Sequence, residues 1–180
     1  MADVDTFASL LLEEAKRFVE KASGEAGAEG KAAYLHAALS LAFSALEAHV
    51  NSIADDFLVR SDLTLLDRSI LAERDVQLDN GQYALTDRLR MYRLKDRIEF
   101  LCRRFGGGPI DKSSVVWSGF KSGLNQRHRL THPKEAAEIT EPLTRQALTA
   151  IIGLLDLLYR AIYKRPYPAA KRGLDSNLSF

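Results

Sequence analysis

Residues 32–57 read AAYLHAALSLAFSALEAHVNSIADDF, and this stretch decides the fold. Apolar residues recur along it at steps of three and four, the spacing that places them on one face of a helix. The predicted inward face consists of Leu35, Ala38, Leu39, Ala42, Ala45, Leu46, His49, Val50, Ile53 and Phe57. A long helix buries such a face against other helices. The sequence therefore predicts an all-α protein built around residues 32–57.

The same periodicity predicts further helices on both sides of this stretch. One precedes it, with its apolar face between residues 7 and 22, and a shorter one follows at about 63–73. Two more are predicted at 86–105 and from about 111 to 132, and a last one runs from about 140 to 164. Together these segments predict a bundle of five to six helices.

A small hairpin-like insert interrupts the helical pattern at residues 76–85, VQLDNGQYAL. Apolar residues alternate on both sides of Asn80-Gly81, the pair that two-residue hairpin turns prefer. The segment therefore predicts either a small β-hairpin or a long extended loop. The length of 180 residues suits one domain, which we expect over 1–165, followed by a loosely ordered tail over 166–180.

Composition excludes several classes of protein. Apolar residues make up 46% of the chain and charged residues 27%, which excludes a disordered chain. The longest apolar stretch, 147–162, is interrupted by Asp156 and Arg160, so we expect no membrane partner. The N-terminal MADVDTF is acidic where a secretory signal is basic, so we expect a cytoplasmic protein. Cys102 is the one cysteine, which excludes an intramolecular disulfide and any cysteine-based zinc finger.

The charge is distributed unevenly along the chain. Residues 1–84 hold 7 Lys or Arg and 15 Asp or Glu, whereas residues 85–180 hold 18 and 9. In one interpretation the two halves fold onto each other and neutralise their charges. In the other, a basic surface remains after folding and attracts a polyanion. Composition does not choose between them.

Basic residues concentrate in LNQRHRLTHP, residues 124–133, which holds Arg127, His128, Arg129 and His132. Cations are often found at a helix C-terminus because the helix dipole favours them there. The chemical interpretation is a site for phosphate. An Arg guanidinium binds phosphate through a planar fork of donors, and a His transfers protons near neutral pH. Attack of an RNA 2′-hydroxyl on its own phosphodiester needs these two groups and no metal.

The spacing of Arg127 and His132 matters for this interpretation. On an unbroken helix, side chains five residues apart point about 140° apart and lie roughly 7.5 Å apart along the axis. Pro133 disfavours a helical conformation at His132. We therefore expect the helix to end at Thr131, which allows His132 to turn back towards Arg127.

This segment resembles the signature of the HEPN superfamily, compact all-helical domains of which many are ribonucleases. That signature is an Arg, a polar residue, usually three more residues and a His, and it matches Arg127 to His132. ALEAHVNSI, residues 45–53, is similar to the Leu-Glu-x-x-x-Asn pattern of several HEPN groups. Glu47 and Asn51 then lie one helical turn apart. The resemblance covers residues 10–162 by layout, and is specific only at these two segments.

The resemblance implies a symmetric homodimer whose two Arg-His motifs meet in a shared cleft. It also implies a metal-independent endoribonuclease of the toxin or defence type, without a cofactor, with RNA as its partner and with a possible antitoxin or regulatory protein. His132 would act as general acid or base, and Arg127 would hold the scissile phosphate. His128 and Arg129 would shape the pocket or contact RNA.

The resemblance also implies that Glu47 and Asn51 orient Arg127 or line the cleft. The alternatives are a plain salt bridge for Glu47 and a helix-packing hydrogen bond for Asn51. The alternative function is a non-catalytic module of the same fold that binds a nucleotide, RNA or a partner protein.

Other candidate residues are predicted to be structural. Trp117, Phe120 and Leu124 are spaced by three and four residues, which predicts core packing rather than base stacking. His49 lies on the apolar face of the long helix, which predicts a hydrogen-bonded core histidine. The basic run 86–104 is either a solvated helix face or an RNA-contacting surface.

Overall fold

The computed structural model describes residues 4–136 and 138–180, and these fold into six α-helices, one β-hairpin and a single 3-10 turn. In chain order the elements are α1 Val4–Gly24, α2 Ala28–Leu58, α3 Leu65–Ala72, β1 Arg74–Asp79, β2 Gln82–Leu89, α4 Leu94–Phe105, α5 Val115–Thr131, α6 Glu141–Tyr163 and the 3-10 turn Ala170–Arg172. The prediction of a mostly helical chain with a small hairpin is confirmed.

Helix α2 forms the centre of the core, as its apolar periodicity predicts. Every residue of the predicted inward face is buried except Phe57, which is half-buried and stacks on Phe105 with ring centroids 4.0 Å apart. Helix α1 packs along α2, and α3, α4, α5 and α6 also contact it. The contacts of α2 on several sides explain why its apolar face is so wide.

Helices α5 and α6 run antiparallel at a very short separation. A Cβ atom added at Gly123 would lie 2.7 Å from the Cβ of Ala147, and one added at Gly119 would lie 2.8 Å from the Cβ of Ala150. Glycine is therefore required at both positions for this close approach. The contact determines where the C-terminal half of α5 lies in the protein.

The hairpin forms around the predicted turn. Strands β1 and β2 pair antiparallel, with Val76 opposite Leu85 and Leu78 opposite Tyr83. Asn80 and Gly81 adopt φ angles of 47° and 80°, the left-handed pair that a two-residue hairpin turn requires.

The helix predicted over 86–105 begins too early. Strand β2 continues to Leu89, and α4 begins only at Leu94. Pairing with β1 provides hydrogen-bond partners for the backbone of β2. Just after β2, the Arg90 amide donates to the Glu73 carbonyl oxygen at 2.8 Å. Tertiary pairing thus overrides the local helical pattern here.

The segment 166–180 packs against α1 and α2, which differs from the loosely ordered tail that the sequence predicted. Tyr167 is 3% exposed, and its hydroxyl oxygen lies 3.0 Å from the His49 Nε2 atom. The buried Glu13 carboxylate accepts hydrogen bonds from the Arg172 guanidinium at 2.6 Å and from the Asn177 amide at 2.9 Å. These contacts join residues more than a hundred positions apart, so no local pattern predicts them.

In the part of the chain that the structure describes, α6 is the one helix long and apolar enough to cross a membrane. Half of its most apolar stretch is buried inside the protein. The core helix of a globular protein has the same length and composition, so this property is weak support for a membrane span.

Candidate active site

A cavity of about 690 Å³ lies where α2, α5 and the segment between β2 and α4 meet. It is lined by Glu47, Asn51, Glu73, Met91, Tyr92, Arg93, Leu94, Lys95, Arg97, Leu124, Arg127 and His128. The structure thus brings together four residues that the sequence predicted as one site, namely Glu47, Asn51, Arg127 and His128.

Arg127 lies on α5 and forms an ion pair with Glu47 on α2. The Arg127 Nη2 atom is 3.3 Å from the Glu47 Oε1 atom, and the two side chains are 29% and 40% exposed. A guanidinium has five N–H donors, so one such contact leaves donors for a bound phosphate. The geometry allows Glu47 to orient Arg127 without blocking it.

Asn51 lines the cavity, and its side chain contacts Arg97 on α4 rather than Arg127. Arg97 Nη1 donates to the Asn51 Oδ1 atom at 2.6 Å and lies 3.0 Å from the Glu73 Oε2 atom. Its Nη2 donates to the Leu71 carbonyl oxygen at 3.3 Å. Arg97 is only 6% exposed, and burial lowers its pKa from the ordinary 12.5. It remains a cation near neutral pH, because so high a starting pKa leaves it protonated.

Sequence reasoning missed Arg97 and Glu73. A signal for Arg97 exists, because it lies three residues after Leu94 and four before Leu101 on the inward face of α4. A charged residue at such a position is buried only with partners. Glu73 has no comparable signal, since it follows α3 as the cap residue and reaches Arg97 only through the fold.

Helix α5 ends at Thr131, as Pro133 predicts. His132 adopts non-helical backbone angles, with φ of −130° and ψ of 63°. It is exposed and lines a separate, smaller concavity of about 360 Å³ with His128, Arg129, Lys134 and Glu135. His132 does not line the cavity that contains Arg127, whereas His128 lines both.

Cys102 and His49, two further residues with reactive side chains, are buried in the core. Cys102 is 2% exposed, and burial raises the pKa of its thiol to about 11, so it is not a thiolate near neutral pH. His49 is buried, as predicted, between Asp5 at 3.2 Å and Tyr167. Among residues 4–136 and 138–180, no group of three His, Cys, Asp or Glu side chains is arranged to hold a metal ion.

The aromatic residues of α5 belong to the core. Trp117 and Phe120 are 3% and 0% exposed, and their ring centroids lie 5.3 Å apart. Leu124 is half-buried and lines the Arg127 cavity. The prediction of core packing is therefore confirmed for Trp117 and Phe120, and the half-buried Leu124 also packs against the core.

The fold and the site define a mostly helical protein with a small antiparallel hairpin and a cavity in which cations lie beside the aromatic Tyr92. Comparison of the chain with protein-family models, with curated proteins and with solved structures finds no match.

Proposed function

We propose that the chain is a metal-independent endoribonuclease of the HEPN type, which acts as a homodimer through Arg127 and His132. One observation carries this proposal: α5 ends at Thr131, so the same helix end presents a carboxylate-held Arg127 and an exposed His132 outside the helix. Arg binds the anionic phosphate, and His transfers protons near neutral pH. These two groups suffice for cleavage by the RNA's own 2′-hydroxyl.

In the proposed reaction, His132 takes the proton from the 2′-hydroxyl, and the freed oxygen attacks the adjacent phosphorus. The new bond closes a 2′,3′-cyclic phosphate while the bond from phosphorus to the 5′-oxygen breaks. His132 then gives the proton to the leaving oxygen, and a 5′-hydroxyl is released. Arg127 binds the phosphate oxygens, which gain charge in the transition state.

The proposal requires a second copy of the chain. Within one chain, Arg127 and His132 line different concavities. A twofold axis next to the end of α5 would bring the Arg127 of one copy towards the His132 of the other. A regulatory protein or antitoxin that covers this helix end would then block the active centre.

A second candidate function is a non-catalytic module that binds a nucleotide, RNA or a partner protein. The specific observation that favours it is the ion pairing inside the cavity, where Arg127 meets Glu47 and Arg97 meets Glu73. Ion pairs hold these cations in position for a ligand, and His132 does not line the cavity, so the cavity of a single chain suits binding without a reaction.

Cleavage of mixed RNA in the presence of EDTA tests the first proposal. The wild-type protein should cleave, and Arg127→Ala and His132→Ala should each lose about a hundredfold or more in rate. The matched controls are Arg145→Ala and His36→Ala, which remove the same residue types outside the Arg127 cavity. Cleavage that stops in EDTA, or that both site variants retain in full, contradicts the proposal.

Mixing the two inactive variants tests whether the centre is shared between copies. A mixed dimer of Arg127→Ala and His132→Ala keeps one intact centre if Arg127 works with the histidine of the other copy. Random exchange of subunits should then restore about a quarter of the wild-type rate. No recovery in a mixture that has exchanged subunits argues against a centre shared in this way.

A further inference from the structure

Tyr92 is a cavity residue that the proposed reaction does not use. It lies between β2 and α4, and its hydroxyl oxygen is 2.8 Å from the Ser69 Oγ atom. Ser69 is fully buried and donates to the Arg74 carbonyl oxygen at 2.5 Å, so the Tyr92 hydroxyl is the donor in the first contact. The Tyr92 backbone amide also donates to the Glu73 Oε1 atom at 3.3 Å.

These contacts decide what Tyr92 can offer to a ligand. Its hydroxyl is already bonded inside the protein, so the part of the side chain left for the cavity is the aromatic ring. The Arg90 guanidinium carbon lies 5.2 Å from the ring centroid and covers one face. Tyr92 is thus held through its backbone amide and its hydroxyl, and Arg90 lies over one ring face. These contacts fix the position of the ring before a ligand arrives.

We propose that the Tyr92 ring is the platform on which one unpaired base of a single-stranded RNA stacks, while Arg127 binds the neighbouring phosphate. This inference rests on the proposed function, and it names the substrate class of the same site. A base inside a duplex is covered on both faces by its neighbours, so a stacking platform selects unpaired bases. The cavity volume of about 690 Å³ accommodates a nucleotide.

Asn51 and the apolar wall of the cavity support the same occupant. The Asn51 Oδ1 atom accepts a hydrogen bond from Arg97, so the Nδ2 group of this exposed side chain points away from Arg97. Within the described residues Nδ2 has no protein partner, so it is free to donate to a base acceptor. Leu94, Leu124 and the 74% exposed Met91 offer apolar contacts to the base plane.

The test measures binding separately from cleavage. The probe is a short 2′-O-methyl oligoribonucleotide, which lacks the attacking hydroxyl, followed by fluorescence anisotropy. Tyr92→Leu should bind it about tenfold more weakly than wild type, because one base loses its stacking partner. Tyr92→Phe keeps the ring and should bind within about threefold of wild type. Duplex RNA should bind more weakly than the single strand to the wild-type protein.

Two controls separate stacking from a folding defect. Tyr83→Leu makes the same change at a hairpin tyrosine that is 71% exposed and outside the cavity, and its affinity should equal that of wild type. The second control changes the probe: an oligonucleotide with abasic sugars in its central stretch should bind the wild-type protein about tenfold more weakly than the intact oligonucleotide. Tyr92→Leu should show no further loss with this abasic probe.

The outcomes distinguish the two proposals. If Tyr92→Leu binds as tightly as wild type while Arg127→Ala binds weakly, the platform is wrong and the ribonuclease proposal stands. If binding behaves as expected but unmodified RNA is never cleaved, the platform belongs to a binding module and the ribonuclease proposal is wrong. Equal affinity for duplex and single strand, or no RNA binding at all, overturns the platform.

Discussion

At the scale of single residues, the ion pair between Arg127 and Glu47 is the contact on which the site depends. Both side chains are partly exposed, so the pair contributes at most about 1 kcal/mol to the free energy of unfolding. Its value lies in orientation, because a long arginine side chain otherwise samples many rotamers. We infer that Glu47 is a positioning residue, which acts on the substrate only through Arg127.

Replacement of Glu47 tests this role. Glu47→Gln should slow RNA cleavage about tenfold, because a loosened guanidinium meets the phosphate less often in the reactive geometry. The loss should fall mainly on kcat, and the urea midpoint should hardly change. Glu29→Gln, an exposed carboxylate on the same helix, is the control and should cleave like wild type. An unchanged kcat in Glu47→Gln would leave the pair as a plain salt bridge.

At the scale of elements, the close approach of α5 and α6 determines where the motif lies. Gly119 and Gly123 lie one turn apart on α5, and each faces an alanine of α6 with no room for a further carbon. Arg127 follows Gly123 by one more turn. The backbone contact of two helices therefore sets the direction from which Arg127 reaches the cavity.

A larger side chain at this contact should separate the helices. We expect Gly123→Val to lower the free energy of unfolding by about 1–3 kcal/mol, because the added carbons collide with Ala147. Urea denaturation followed by circular dichroism measures this loss. Gly108→Ala is the control, because a Cβ atom there meets nothing within 4 Å. Equal stability of both variants would mean that the helices separate without cost.

At the scale of the whole molecule, a hydrogen-bond cluster around the buried His49 joins four separate parts of the chain. His49 on α2 lies between Asp5 of α1 and the hydroxyl of Tyr167, and Tyr159 of α6 also donates to Asp5 at 3.0 Å. Burial lowers the pKa of His49 below its ordinary 6.5, although the charge of Asp5 opposes the shift. Burial also raises the pKa of Tyr167 to about 12, so this partner stays neutral.

This cluster makes stability depend on pH in a defined direction. The folded His49 binds a proton less readily than the unfolded one, so the free energy of unfolding is highest above the unfolded pKa of 6.5. It falls as the pH drops from 6.5 to the lowered folded pKa. His49→Gln should remove most of the difference between urea midpoints at about pH 7.5 and about pH 5. His36→Gln, on the same helix, should keep that difference.

Carboxylates add a second loss at lower pH. Hydrogen bonds from Lys31, Ser23 and Arg145 lower the pKa of Glu141 from 4.5 to about 2. Stability from this group is therefore lost only below pH 4.5, which separates it from the effect of His49. A pH dependence in His49→Gln that remains unchanged above pH 5 would contradict the assignment to His49.

Ion pairs between the two halves neutralise part of their uneven charge. Acidic residues of the first half pair with basic residues of the second, and the described residues form six such pairs: Glu13–Arg172, Glu47–Arg127, Asp62–Arg104, Asp67–Arg104, Glu73–Arg97 and Asp75–Arg90. These pairs favour the interpretation in which the halves fold onto each other. Two of the six, Glu47–Arg127 and Glu73–Arg97, line the Arg127 cavity, so the same pairing also builds the candidate site.

The sequence by itself determined the helices, the turn at Asn80-Gly81 and the end of α5 before Pro133. Each of these depends on interactions within a few residues, namely apolar periodicity, a left-handed turn pair and the steric effect of proline. The tertiary structure decided the extent of β2, the pairing of Asn51 with Arg97, the anchoring of the tail and the separation of His132 from the Arg127 cavity. All four depend on contacts between distant segments, whose geometry local patterns do not encode.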